Sequence, residues 1–260
     1  MNVPALVMAV RLRALQTVST AVGLGLVIVM VGALFPAVGH SIGKLHLPEG
    51  VTELLGGADY GSLQGWMRSE IGAIYGPLVA SLIAIGGAVA STAGEEEDGI
   101  LGLVLAYPVE RSGLVLGKAA AVALEILVLC LGMFAGLIVG VAVGGGGVPL
   151  GDLAALCLHL FFFGLTVGAL ALALATTTGR RGLATAGAAG FALLGFLING
   201  FAPLVDALSW LKYLSPFYYY EGHDPISNGV YVPDLAVLAI ATGALVAVAV
   251  VGMRKRDLRA

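Results

Sequence analysis

Glu95, Glu96, Glu97 and Asp98 stand in an unbroken run, and so dense a set of carboxylates does one of two things. It stays solvated in a loop, as charge runs commonly do. Otherwise it offers charge-assisted hydrogen bonds to a groove lined with backbone amides, helix N-termini or arginine. After the acids comes a short amphipathic run whose acidic start suits a helix N-terminus and which Pro108 ends. Three more polar side chains, Glu125, His159 and Asn199, fall inside long apolar runs. A carboxylate at such depth costs roughly 2.5–3.5 kcal/mol and usually faces a cavity or a partner. Glu125 is therefore a candidate for substrate contact, for proton movement or for an interhelical hydrogen bond. His159 reads as a satisfied core histidine, and Asn199 as an interhelical hydrogen-bonding group.

Other reactive patterns fall short. A phosphate-cradling loop needs G-x-x-x-x-G-K-[ST]; the stretch from Ser112 to Ala119 misplaces the first glycine, lacks the final hydroxyl and opens an apolar run. The run Gly144–Gly147 does not form a dinucleotide fingerprint. His40, His46, Glu49, Glu53 and Asp59 match no metal-ligand spacing, so no metal site is expected. Cys130 and Cys157 both lie in apolar runs, which argues against a disulfide framework. No basic cluster with interleaved aromatics points to nucleic acid. The expected catalytic set is empty.

Composition says which elements must hold these residues. Of 260 residues, 59% are hydrophobic and 11% charged, against roughly 45–50% and about 25% in a soluble domain. Too little polar surface remains to face water. A helix needs about 20 apolar residues to cross a bilayer, and six stretches qualify: about 15–39, 71–93, 113–143, 152–176, 183–205 and 233–253. The runs are continuous, without the alternation of barrel strands. The expectation is an all-α polytopic membrane protein, a single transmembrane domain over 1–260. The first run is longer than a signal-peptide core and reads as an uncleaved helix. With both termini inside, ten of the thirteen Lys and Arg residues fall on the cytoplasmic side and only Lys44, Arg68 and Lys212 outside. The acid run then lies in a cytoplasmic loop, 94–112.

Two further patterns concern packing and closure. Gly132, Gly136, Gly140 and Gly144 repeat at four-residue spacing, a face that lets helices approach closely, within the subunit or at a dimer seam. The outer segment 206–232 gathers Trp210, Tyr213, Phe217, Tyr218, Tyr219 and Tyr220 around Ser215 and Pro216. Amphipathic rings settle at headgroup level, so an interfacial belt is the least this segment forms.

The stretch EEEDGILGLVLAYPVERSGLVLGK (95–118) resembles the cytoplasmic loop of ABC-2 type transporter permeases. Glu96, Glu97, Gly99, Leu101, Pro108, Val109, Arg111 and Lys118 match its pattern, while Ile100 stands where Thr is usual and Glu110 where Ser is usual. LKYLSPFYYYEG (211–222) and the six-span layout extend the resemblance over nearly the whole chain. It implies a type V exporter-like architecture in the plasma membrane, with an N-terminal elbow helix over Pro4 to Leu15. The loop residues Glu95, Glu96, Glu97, Asp98, Gly99, Leu101, Pro108 and Arg111 would form a coupling element that docks on a nucleotide-binding subunit. Tyr213, Pro216, Phe217, Tyr218, Tyr219 and Tyr220 would help form an outer gate. It also implies a second permease subunit, the same chain or a related one. ATP and Mg would be bound by the partner ATPase, and no cofactor by this chain. Two other classes compete. An ion-gradient-driven secondary transporter would show inverted repeats, of which no second copy is evident. An intramembrane enzyme would need paired Glu and His at helical contact spacing, which the spans lack.

Overall fold

The computed structural model describes residues 3–42, 60–106 and 109–256. Among them there is no strand, and six helices are long and apolar enough to cross a membrane. His46, Glu49, Glu53, Asp59, Pro108 and the side chain of His40 lie outside the described residues.

Helix α1 (Val3–Ile42) is one continuous helix of 40 residues. The separate elbow over Pro4 to Leu15 is absent, because proline in the first helical turn removes no intrahelical bond and nothing interrupts the residues after it. Helix α2 runs from Leu63 to Glu97, and Ser62 caps it by accepting from the Gly65 amide (3.1 Å). Two wide π turns, Arg68–Tyr75 and Ala90–Gly94, flank its α-helical middle, Gly76–Val89. Pro77 explains the first. It has no N–H to give, so the ladder opens one turn earlier and the Gly76 amide bonds to Ile71 O.

A left-handed Gly99 (φ 73°) then turns the chain into the short helix α3 (Ile100–Leu105). Helices α4 (Arg111–Val143), α5 (Leu150–Thr178) and α6 (Arg181–Phe201) follow. The 3₁₀ turn Ala202–Leu204 ends the α6 span, and the segment expected on the outer side, 206–232, comprises the 3₁₀ turn Asp206–Leu214 and the short helices α7 (Pro216–Glu221) and α8 (Pro225–Asn228). It leads into α9 (Val232–Lys255). Ser215 and Pro216 start a helix here. The Ser215 hydroxyl accepts from the Phe217 amide (3.1 Å) and donates to Gly195 O (2.7 Å), and proline suits the first helical position.

Helix α5 is the centre of the bundle and packs against α2, α4, α6 and α9. Leu156, Leu160, Phe163 and Val167 of α5 share one buried apolar core with Ile126, Leu129 and Met133 of α4 and the small residues Ala80, Ala84 and Ala88 of α2. Large apolar side chains also cover the outside, Leu15, Leu26, Leu82, Leu131, Leu193 and Ile240 among them. In water such a surface would aggregate; in lipid it is the solvated face.

The glycine stripe meets α1 of the same chain. A Cβ on Gly132 would lie 2.8 Å from Ala21 O, on Gly136 2.7 Å from Gly25 Cα, on Gly140 2.8 Å from Ile28 O and on Gly144 3.0 Å from Gly32 O. Partners rise along α1 as the glycines rise along α4, so the two helices run parallel with their backbones in contact.

Candidate functional site

At the end of the bundle that carries α3, the acids at the end of α2 each reach a different helix. Glu95 pairs with Lys118 of α4 (2.6 Å), whose ammonium also donates to Ser91 O. Glu96 is buried and holds Arg256, just past α9, through both guanidinium Nη atoms (2.8 Å for Nη1 to Oε1). A carboxylate and a guanidinium in this fork arrangement make the strongest kind of ion pair. Arg256 Nε further donates to Thr176 O at the end of α5 (3.0 Å). Glu97 accepts from the Arg181 amide (2.9 Å), at the N-terminus of α6 where the helix dipole favours a carboxylate. Arg111 closes the set by donating to Met253 O (3.1 Å) and Arg256 O (2.9 Å), carbonyls at the C-terminal end of α9.

These contacts divide the acid run between two jobs. Glu95 and Glu96 turn inward and tie α2 to α4, α5 and α9. Asp98 and Gly99 are exposed, and so are Ile100 and Leu103 on the outer face of α3, while Leu101 is fully buried beneath them. The exposed part of this end is therefore a small apolar ridge with acids beside it, mounted on an ion-paired base.

Glu125 does not stand alone either. Arg13 of α1 reaches it with Nε (2.9 and 3.2 Å to the two oxygens) and donates from Nη1 to Gly86 O of α2 (3.2 Å). Gly87 makes the room, since a Cβ there would lie 2.5 Å from Glu125 Oε2. The pair joins α1, α2 and α4 inside the bundle. His159 is fully buried. Its Nε2 accepts from the Tyr231 amide (3.3 Å), which leaves Nδ1 to donate to Tyr219 O (3.4 Å). Taken together, the two bonds assign the neutral Nδ1–H tautomer and tie α5 to both ends of the α7–α8 stretch. Asn199 is half-buried on α6 and makes no side-chain hydrogen bond among the described residues.

In the outer segment, Pro216, Phe217 and Tyr220 are buried, Tyr218 and Tyr219 half-buried, and Tyr213 exposed. Phe163 of α5 packs on Phe217 (4.7 Å between ring centres) and Tyr220 (5.4 Å), and Phe196 of α6 packs on Phe217 (5.6 Å). Toward the surface the Lys212 ammonium sits over the rings of Tyr213 and Tyr218, at 5.3 and 5.5 Å. The Tyr220 hydroxyl donates to Gly72 O (2.8 Å). The reason lies in the π turn: the Gly76 amide is spent on Ile71 O and Pro77 has no N–H, so Gly72 O needs an outside donor.

Sequence reasoning missed a second polar group at this end. Arg68 donates to Asp224 (2.7 Å) and stands 3.7 Å from Glu221, and His223 pairs with Asp234 (2.6 Å). In the sequence Arg68 serves only as an orientation marker, because Arg68 and Glu70 precede the apolar run that begins at 71 and no local signal marks their partners. Beside this group an apolar groove of about 290 Å³ opens between α2 and α6, lined by Ile74, Leu78, Leu82, Leu193, Phe196 and Phe217.

A six-span all-α bundle with exposed leucines outside, polar residues paired inside and an apolar groove between two spans is a polytopic membrane protein. The chain belongs to the family described as multidrug efflux system permease Rv1217c, C-terminal domain, whose model matches residues 4–254. No curated protein matches the chain.

Proposed function

We propose that this chain is the permease half of an ATP-binding cassette exporter of the plasma membrane, with both termini cytoplasmic. Two copies, or this chain and a related one, would work with two separate ATP-binding subunits that hold ATP and Mg. The observation that carries the reading is α3: an exposed Ile100 and Leu103 on a helix whose base is ion-paired to α4 and α9. A push on that ridge passes through Glu95 and Glu96 into two spans at once, which is what relaying closure of an ATPase requires. Asp98 and Glu97 add charge at its edge. Phe217 and Tyr220, at the other end, hold the outer segment over α5 and form the part of the gate that must lift. The groove between α2 and α6 supports a hydrophobic or amphipathic cargo, in keeping with the multidrug efflux named in the family description.

Purification of the tagged chain from its native membrane tests this reading. An ATPase bearing a phosphate-loop lysine is expected to copurify. Leu103→Asp, which places a charge on the ridge without touching the core, is expected to lower its capture about tenfold while the permease stays folded. Absence of any ATPase, with transport that follows an ion gradient, would make the chain a secondary transporter instead.

A further inference from the structure

Helices α7 and α8 lie on the outer end of α2 through the side chains of Gln64, Arg68, Tyr220, Glu221 and Asp224. Tyr220 donates to Gly72 O, Arg68 meets both Glu221 and Asp224, and the Gln64 amide donates to Ile226 O (2.5 Å). The charge in this contact does not balance. One guanidinium faces two carboxylates, and the Glu221 and Arg68 side chains are 8% and 19% exposed. Arg68 Nε, Glu221 Oε1 and Asp224 Oδ1 are all buried without a hydrogen-bond partner. Asp224 reaches its place only through a left-handed backbone (φ 50°), the one non-glycine residue with positive φ among those described. A buried site holding one excess negative charge is costly, and a single proton removes the excess.

We propose that Glu221, which faces Arg68 together with Asp224, is a proton-binding site, and that its proton holds the outer segment onto α2. With the proton present, the site is neutral and the Glu221 carboxyl brings a donor of its own into it. Without it, two carboxylates repel across one guanidinium and the segment lifts toward water. The groups that face Glu221 are Arg68 from α2 and Asp224 from its own segment. The Tyr220 phenol is adjacent, with Cys157 of α5 and Cys130 of α4 near that ring. His223 is committed to Asp234 of α9, His159 to backbone, and Glu70 of α2 stands near Tyr60. Burial, opposed by Arg68 and reinforced by Asp224, pushes the Glu221 carboxyl up to about 7.

The sign follows. A carboxyl that binds its proton more tightly in the closed segment than in water favours closure as pH falls through the raised value, and loses that advantage above it. Between pH 8 and pH 6 the closed form gains about tenfold. Any bearing on transport rests on the gate described above; the titration itself does not, because it needs no ATPase.

The test is amide hydrogen exchange over 216–228 in the purified full chain in lipid nanodiscs, corrected for the intrinsic pH dependence of exchange. Wild type is expected to be about tenfold better protected at pH 6 than at pH 8. Glu221→Gln, neutral at both, is expected to be equally protected at each. Protection of the wild type that ignores pH overturns the proposal, and so does a pH response that survives Glu221→Gln. Should the variant misfold, the wild type decides alone. A protonated-carboxyl infrared band must grow between pH 8 and pH 6, and its absence rules the site out.

Discussion

Gly136→Leu is expected to cost about 3 kcal/mol, the upper end for overpacking, and to leave little monodisperse protein after detergent extraction. The new Cβ would meet Gly25 Cα at 2.7 Å and Gly25 O at 2.8 Å. A crowded side chain can rotate away, whereas the backbone of a 40-residue helix cannot. Helix α1 must therefore move off α4 along its length, and the contacts at Gly132, Gly140 and Gly144 go with it. Gly23→Leu is the control, since a Cβ at Gly23 has nothing within 4 Å. The measurement is the midpoint of thermal unfolding in detergent, lowered strongly in the first variant and hardly in the second. Equal midpoints would mean that the seam is not the intrachain contact described above.

Glu96→Lys is the second large effect. It turns a buried fork pair into two facing cations, and breaking a buried pair costs roughly 3–5 kcal/mol because a charge is left uncompensated. Arg256 is then repelled from the end of α2 while its bond to Thr176 O remains, so α9 loses its hold on the base of α3. In the complex with an ATPase proposed above, substrate-stimulated ATP hydrolysis is expected to fall about tenfold, with insertion in the membrane unchanged. The exchange Glu96→Arg with Arg256→Glu restores opposite charges and is expected to recover part of it. A double variant no better than the single one would assign Glu96 to direct contact with the partner instead.

The sequence made the six spans legible because lipid demands long apolar runs whatever the tertiary fold. It placed the start of α2 at 71, however, where the helix starts at Leu63. Arg68 and Glu70 look like a loop until the acids facing Arg68 from more than 150 residues away are known. The glycine stripe was visible as a contact face, but periodicity in one helix does not name the other, and the facing positions Ala21, Gly25, Ile28 and Gly32 mix small residues with a large one. Likewise the acid run stood out by density alone. Of its partners, Lys118 and Arg256 already count toward orientation, and the third is the Arg181 backbone amide, which no side-chain pattern marks. Glu221 was the least legible of all, because YYYEGHD reads as a polar loop and nothing local says that its carboxyl is shut away from water.

The turn before Pro77 carries a consequence for how this end of the molecule can vary. A π turn holds one residue more than the α turn it replaces, and one residue of α-helix is about 100° of heading. The side on which Gln64 and Arg68 emerge is thus set downstream of them, by an inserted residue that the proline keeps in place. Single-residue deletions between 68 and 76 swing the whole outer end of α2 to a different quadrant while leaving every residue type at that corner intact. Relatives that have dropped the extra residue would need their arginine at another position to serve the same acids.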